Sequence, residues 1–156
     1  MNTHAFDRRI LVRIGVFLAL ALASILPWQA AQAGPQNLIR GLAIGGYDAV
    51  GYFESNDAVR GDSQYSYEWN GATWHFASAA NRDKFAADPE AYAPQYDGYC
   101  AWAAAGSYKA NGDPEVWDIV DGRLYLNYST GVQRRWERDI PGFIAQANAV
   151  WPSVNP

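Results

Sequence analysis

Cys100, His75 and Asp48 are the residues through which this sequence could bind a metal. The chain holds one cysteine and two histidines, and the other histidine, His4, lies in an N-terminal segment that we expect to be removed. A single cysteine excludes an internal disulfide, a cysteine-rich zinc site and a haem-attachment pair. A thiolate, an imidazole and a carboxylate are nevertheless ligands for copper or zinc. These three residues are the candidate metal ligands, and a tight site would need a second copy, as in a homodimer.

Other interpretations of Cys100 and His75 stay open. Free cysteine is among the most buried residue types, so Cys100 is more simply a core residue. In an oxidising compartment it could instead be a reactive thiol or form a disulfide between chains. His75 is more simply a histidine on the polar face of a strand. A nucleophile and base pair of these two residues would require contact between them, and nothing in the sequence indicates such contact. We therefore expect that the protein is not an enzyme.

Tyrosine and tryptophan are abundant, with ten Tyr and seven Trp in the chain. Flat rings could stack on the apolar faces of sugars, although core packing accounts for most of them. The rings that could line a ligand pocket have Gly or Ala beside them, or lie next to Cys100. The candidate pocket residues are Tyr47, Tyr52, Tyr99 and Trp102.

Residues 1–33 have the order of a secretory signal peptide. Arg8, Arg9 and Arg13 precede an uncharged run at 14–26, and the segment ends in Ala-Gln-Ala at 31–33. The run is shorter than the roughly 20 residues that a membrane span needs. The segment resembles a twin-arginine signal, and a general secretory signal is the alternative. We therefore predict an exported protein, periplasmic or extracellular, with no stable membrane span after cleavage.

Two hairpins are the clearest local features of the remaining chain. Asn70-Gly71 and Asp121-Gly122 are favoured two-residue hairpin turns, and each lies between runs typical of strands. The first turn would pair Tyr65 with Phe76 and Ser66 with His75. In the second hairpin, the buried face would comprise Trp117, Ile119, Leu124 and Leu126.

Short helices are predicted around these hairpins. Ser78 is a typical N-cap for a helix at 79–87, and Asp88-Pro89 would begin another that reaches Tyr92. Two further helices are predicted at 132–138 and 142–150, separated by Pro141. Residues 45–53 are predicted to form a turn leading into a strand. Residues 34–156 are therefore predicted to form one α+β domain, with antiparallel β-hairpins packed against short helices.

Length and charge limit the class of protein. The chain has 156 residues, 49% of them apolar, and a net charge of −4. This composition is typical of a single folded domain and not of a disordered chain. The negative charge also argues against a nucleic-acid partner.

The segment from Tyr67 to Cys100 resembles the YHS domain family. It contains an aromatic hairpin, a Phe-Ala-Ser strand end at 76–78, a helix with Phe85, then Asp-Pro-Glu at 88–90 and Tyr92. Flanking motifs, among them Gly-Tyr-Asp-Ala-Val at 46–50 and Gly-Tyr-Cys at 98–100, resemble a longer exported version of the family. With those motifs, the resemblance extends over nearly all of residues 34–156.

The resemblance implies a role with a transition metal such as copper, because the family includes domains of copper-transporting ATPases. The usual pair of cysteines corresponds here to Ala77 and Ala80, which cannot bind metal. We therefore expect an exported YHS-like binding module, associated with copper or zinc or without a cofactor. The alternatives are a non-metal binding or scaffold protein of the cell envelope, and a thiol-dependent redox protein or enzyme that uses Cys100.

Overall fold

The computed structural model describes residues 35–156, so the predicted signal peptide lies outside the described residues. The strands are β1 (Leu38–Ile39), β2 (Leu42–Ala43), β3 (Asp62–Trp69), β4 (Ala72–Phe76), β5 (Asp113–Val120) and β6 (Arg123–Asn127). The helices are α1 (Gly51–Glu54), α2 (Ala79–Ala87), α3 (Pro89–Tyr92), α4 (Ala101–Ala105), α5 (Thr130–Trp136) and α6 (Ile140–Val154). The predicted α+β class is confirmed.

The strands form two sheets. One has the order β1-β2-β4-β3, with β2 parallel to β4, and the other is the β5-β6 hairpin. In both hairpins the predicted register is confirmed next to the turn, including Ser66 opposite His75 and Trp117 opposite Leu126. The predicted pair of Tyr65 and Phe76 is wrong, because an irregularity in β3 places Asp62 opposite Phe76.

Strand β6 is buried on both faces. Leu124 and Leu126 pack into one core, as their alternation predicts, but Tyr125 and Asn127 on the other face are also buried. Tyr125 belongs to a second core cluster with Trp136 and the alanines of α4. The helices α4, α5 and α6 therefore cover the face of the hairpin that a two-layer pattern would leave to solvent.

The helix boundaries at α2 and α3 agree with the sequence signals. The Ser78 side chain accepts a hydrogen bond from the Asn81 amide, and Asp88 accepts one from the Ala91 amide. Phe85 of α2 is fully buried and contacts the rings of Trp74 and Phe76. It is therefore the anchor of α2 in the first core.

Two other predicted segments differ from the structure. Residues 51–54 form α1 and not a strand, because Asp48 accepts hydrogen bonds from the amides of Val50 and Gly51 and so begins a helix. Pro141 does not separate the last two helices. It lies in the first turn of α6, where a missing N–H costs no hydrogen bond, and a 3-10 turn at Glu137–Asp139 joins α5 to α6.

Candidate functional site

A cleft of about 490 Å³ opens between the turn at 95–98 and the end of α6. Its volume lies in the range of about 300–1,000 Å³ that is typical of small-molecule sites. We call it the Asp97 cleft. It is lined by Gln36, Trp69, Glu90, Ala93, Pro94, Gln95, Tyr96, Asp97, Arg123, Asn148, Trp151, Pro152 and Asn155.

Asp97 is the buried acid of this cleft. One carboxylate oxygen accepts a hydrogen bond of 3.0 Å from Gln36 Nε2. The other accepts from Trp151 Nε1 at 3.1 Å and from Asn155 Nδ2 at 2.7 Å. The carboxylate therefore joins three segments that lie far apart in sequence, the start of the described chain, the central turn and the end of α6.

Burial raises the pKa of Asp97 above its ordinary value, and the three hydrogen bonds and the charge of Lys109 oppose that effect only in part. Desolvation disfavours a charged carboxylate, whereas donors that point at it favour the charge. A buried acid with a perturbed pKa in a cleft is a common feature of functional sites.

The backbone around Asp97 is unusual. Tyr96, Asp97 and Gly98 have φ values of 55°, 54° and 80°, so three consecutive residues are left-handed. Such a conformation costs a non-glycine residue about 1 kcal/mol or more. Strained backbone of this kind clusters at ligand sites, and here it carries the carboxylate of the cleft.

Aromatic rings and polar groups make up the rest of the lining. The ring of Trp151 lies 5.6 Å from those of both Tyr96 and Tyr99, between centroids. The Tyr96 hydroxyl donates to Asn148 Oδ1 at 3.1 Å, and burial raises its pKa. Arg123 Nη1 donates to Gln95 Oε1 at 3.2 Å.

Asn155 leaves one polar atom of the cleft without a partner. Its Nδ2 donates to Asp97 and to the carbonyl oxygen of Pro35, so the orientation of the amide is fixed by two acceptors. Its Oδ1 is buried and accepts no hydrogen bond within residues 35–156. A buried acceptor without a donor is costly, and a donor from a ligand or a water molecule would satisfy it.

Asp48, a predicted metal ligand, is committed to other bonds. It is fully buried, and its Oδ1 accepts from the amides of Val50 and Gly51. Its Oδ2 accepts from the Ala77 amide at 2.9 Å and from Asn81 Nδ2 at 2.7 Å. Both oxygens already have two donors, so Asp48 serves as a structural brace between α1, β4 and α2.

Cys100 is a free and buried cysteine, 1% exposed. Its Sγ lies 3.6 Å from Asn127 Oδ1, which also accepts from the Trp102 amide at 3.4 Å. Because a backbone N–H can only donate, the oxygen of Asn127 must face this pair, and the thiol donates to it. A metal ion or an electrophile at Sγ would have to displace this hydrogen bond.

The three predicted metal ligands do not form a group. His75 is half-buried on β4 in the first sheet, whereas Cys100 bridges to Leu126 in the second. Nowhere in residues 35–156 do three His, Cys, Asp or Glu side chains converge as metal ligands. Residues 35–156 of one chain therefore do not fit the metal that the family resemblance implies.

The four predicted pocket aromatics lie in different places. Tyr52 is fully buried and donates to the Pro114 carbonyl, so it is a core residue and lines no surface pocket. Tyr47 lines a cavity of about 250 Å³ with Arg60 and Glu115, and its hydroxyl donates to Glu115. Trp102 lines a cavity of about 220 Å³ beside Cys100.

Tyr99 is half-buried and packs against Trp151, at the back of the ring that lines the Asp97 cleft. It is therefore the predicted pocket residue nearest to the candidate site. Asp97 itself was missed by sequence reasoning. The signal that could have found it is Asp97-Gly98, a pair typical of a turn with left-handed backbone.

Comparison with known families identifies the central segment. Residues 51–96 match the family model described as YHS domain. This part of the chain is therefore similar to YHS domains. The match covers less than a third of the 156 residues, so the longer exported version stays a prediction. No curated protein and no solved structure gives a match to the chain.

The YHS domain match runs from α1 to Tyr96 and so ends at the edge of the Asp97 cleft. It includes His75 and the alanines at 77 and 80, whereas Asp97 and Cys100 lie after it. The cleft is therefore lined by residues of the matched segment, by the segment that follows it and by Gln36, which precedes it. In the described part of the chain, no helix has the length and apolar character to cross a membrane.

Proposed function

We propose that this protein is an exported, non-metal binding module of the cell envelope that holds a small molecule in the Asp97 cleft. The observation that carries the proposal is the buried carboxylate of Asp97, held on left-handed backbone in a cleft of ligand size. The left-handed backbone and the burial of the carboxylate both lower the stability of the fold, and such costs are typical of functional sites. Export rests on the signal-like order of residues 1–33.

The test is a ligand-observed NMR screen of the protein against a library of small polar and aromatic compounds. Arg123 is exposed on the rim of the cleft, so Arg123→Ala removes a ligand contact without opening the core. Arg134→Ala is the matched control, since Arg134 is exposed on α5 and lies outside the cleft lining. We expect compounds whose signals are weakened by Arg123→Ala and unchanged by Arg134→Ala. If no compound in the library behaves so, the proposal is wrong.

A second candidate function is association with copper or zinc, and the YHS match is the observation that favours it. Because no such ligands converge within residues 35–156, the site would have to be shared between two copies, with Cys100 and His75 as the soft ligands, and the buried Cys100 would have to become exposed first. Copper and zinc titration of the protein, with Cys100→Ser and His75→Ala beside it, tests this. Stoichiometric binding lost in both variants would support it, and binding unaffected by either would refute these ligands.

A further inference from the structure

The polar groups around the Asp97 cleft are of both kinds, donors and acceptors, and several have no partner in the described chain. Arg123 has five N–H groups, and the one hydrogen bond it makes is to Gln95. On the acceptor side, Asn155 Oδ1 is buried without a donor, and the carboxylate of Glu90 is exposed on α3. Since a hydroxyl group both donates and accepts, a ligand with several hydroxyls could satisfy both kinds of group.

The charges of the lining favour a neutral ligand. The lining contains one basic residue, Arg123, and two acids, Glu90 and Asp97. A site for a phosphate or carboxylate ligand usually contains several hydrogen-bond donors and basic groups, and its net charge is not negative. The oxygens of Asp97 are already occupied by three donors, so this acid holds the cleft in shape and leaves little capacity to bind a cation.

Aromatic rings supply the remaining surface. Trp69 and Trp151 both line the cleft and are only partly buried, so each presents part of a ring to the cleft. Trp69 is fixed from behind by the rings of Trp74 and Phe85, and Trp151 by those of Tyr96 and Tyr99. Rigid, partly exposed rings offer a flat apolar surface at low entropic cost. The axial C–H groups of a sugar ring match such a surface.

We infer that the ligand of the Asp97 cleft is a neutral saccharide. This inference rests on the proposed function that the cleft binds a small molecule, and it names the chemical class. A pyranose ring would stack on Trp69 or Trp151, and its hydroxyls would bond to Arg123 and Glu90. The two other cavities fit this class less well, since that beside Cys100 is mainly aromatic and aliphatic and that beside Tyr47 is smaller.

Calorimetric titration of the protein with a panel of neutral mono- and oligosaccharides tests the inference. Uronic acids and amino sugars of the same ring geometry are the charged comparators. We expect at least one neutral sugar to bind, with affinity lowered about tenfold by Arg123→Ala or Glu90→Ala, since each removes a charged hydrogen-bond partner. Arg134→Ala and Glu137→Ala, exposed charges outside the cleft lining, should leave the affinity unchanged.

The outcomes separate the ligand class from the function. If no sugar binds, but another compound in the NMR screen binds with sensitivity to Arg123→Ala, the saccharide inference is wrong and the cleft is still a binding site. If a charged analogue binds more tightly than every neutral sugar, the inference is also wrong. If neither the sugars nor the library bind in a way that depends on Arg123, the proposed function fails together with the inference.

Discussion

Asp97 shows how one residue can serve both the fold and a site. Its carboxylate receives hydrogen bonds from Gln36 and Asn155, residues near the two ends of the described chain. Its backbone carbonyl accepts from the Asn37 amide at 2.8 Å, and Asn37 Nδ2 donates to the Gly98 carbonyl. The turn at 95–98 therefore connects the two ends of the described chain, and the cleft lies at the same place.

The raised pKa of Asp97 leads to a prediction on stability against pH. An acid whose pKa is higher in the folded protein binds more protons there than in the unfolded chain, at pH values between the two pKa values. The free energy of unfolding that Asp97 contributes should therefore fall as the pH rises from its ordinary pKa of 3.8 through the raised one. Asp97→Asn does not titrate at this position. The melting temperature of the wild type minus that of the variant should therefore decrease from pH 3.5 to 7.

Calorimetry or circular dichroism across that pH range measures the difference. Asp118 also has a pKa raised by burial, but it is present in both proteins and its effect cancels. A difference that grows with pH would mean that Asp97 is stabilised as a carboxylate, contrary to the effect of its burial.

Burial of Cys100 leads to a prediction on its reactivity. The thiol is 1% exposed and donates to Asn127, so a thiol reagent such as dithionitrobenzoate should reach it only when the protein unfolds. We expect one thiol per chain to react in guanidinium chloride and almost none in the native protein. Reaction of the native protein at the rate of a free small thiol would instead support the redox alternative.

Among the secondary-structure elements, Asp48 is the brace that connects α1, β4 and α2. It begins α1, and it also receives the Ala77 amide at the end of β4 and the Asn81 side chain of α2. Asp48→Ala should lower the free energy of unfolding by about 3 kcal/mol, because it leaves buried donors without an acceptor.

Chemical denaturation of the purified variant measures this loss. Asp83→Ala is the matched control, since Asp83 is an exposed acid on α2 that forms an ion pair with its neighbour Arg82. Its loss should change stability by less than about 0.5 kcal/mol. Equal stability of Asp48→Ala and the wild type would show that the hydrogen bonds of Asp48 do not stabilise the fold.

The elements that sequence reasoning predicted well are those with local causes. The turns at 70–71 and 121–122 set their own register, and Ser78 and Asp88 cap the helices that follow them. Helix α1 was missed because the hydrogen bonds from the Val50 and Gly51 amides to Asp48 cannot be seen in the sequence, where the neighbouring glycines indicate a turn. The cleft was missed because it joins Gln36 to Asp97 and Asp97 to Asn155, contacts between distant residues that no local pattern contains.

At the scale of the whole molecule, two cores share one hairpin. Leu124 and Leu126 of β6 face the aromatic core of the YHS domain, and Tyr125 faces the second core with Trp136. The segment after residue 96 is therefore packed against the YHS domain through β6. This packing accounts for a cleft at the junction of the two parts.

Export is a prediction for the whole chain. The signal-like order of residues 1–33 predicts cleavage after Ala33, so the exported protein should begin at Gly34. Mass spectrometry of the protein from the periplasm and the medium tests this. A full-length chain retained in the cytoplasm would contradict it, and replacement of Arg8 and Arg9 by lysine distinguishes the twin-arginine route from the general one, which tolerates lysine.

The indole N–H signals of the tryptophans can show whether the Asp97 cleft is the ligand site. Trp69 and Trp151 line this cleft, whereas Trp102 lines the cavity beside Cys100 and Trp136 is buried in the second core. On titration with a ligand from the screens, ¹H–¹⁵N spectra should show shifts at the indoles of Trp69 and Trp151 and little change at Trp102 and Trp136. Shifts confined to Trp102, with Trp69 and Trp151 unchanged, would place the ligand beside Cys100 and contradict the account.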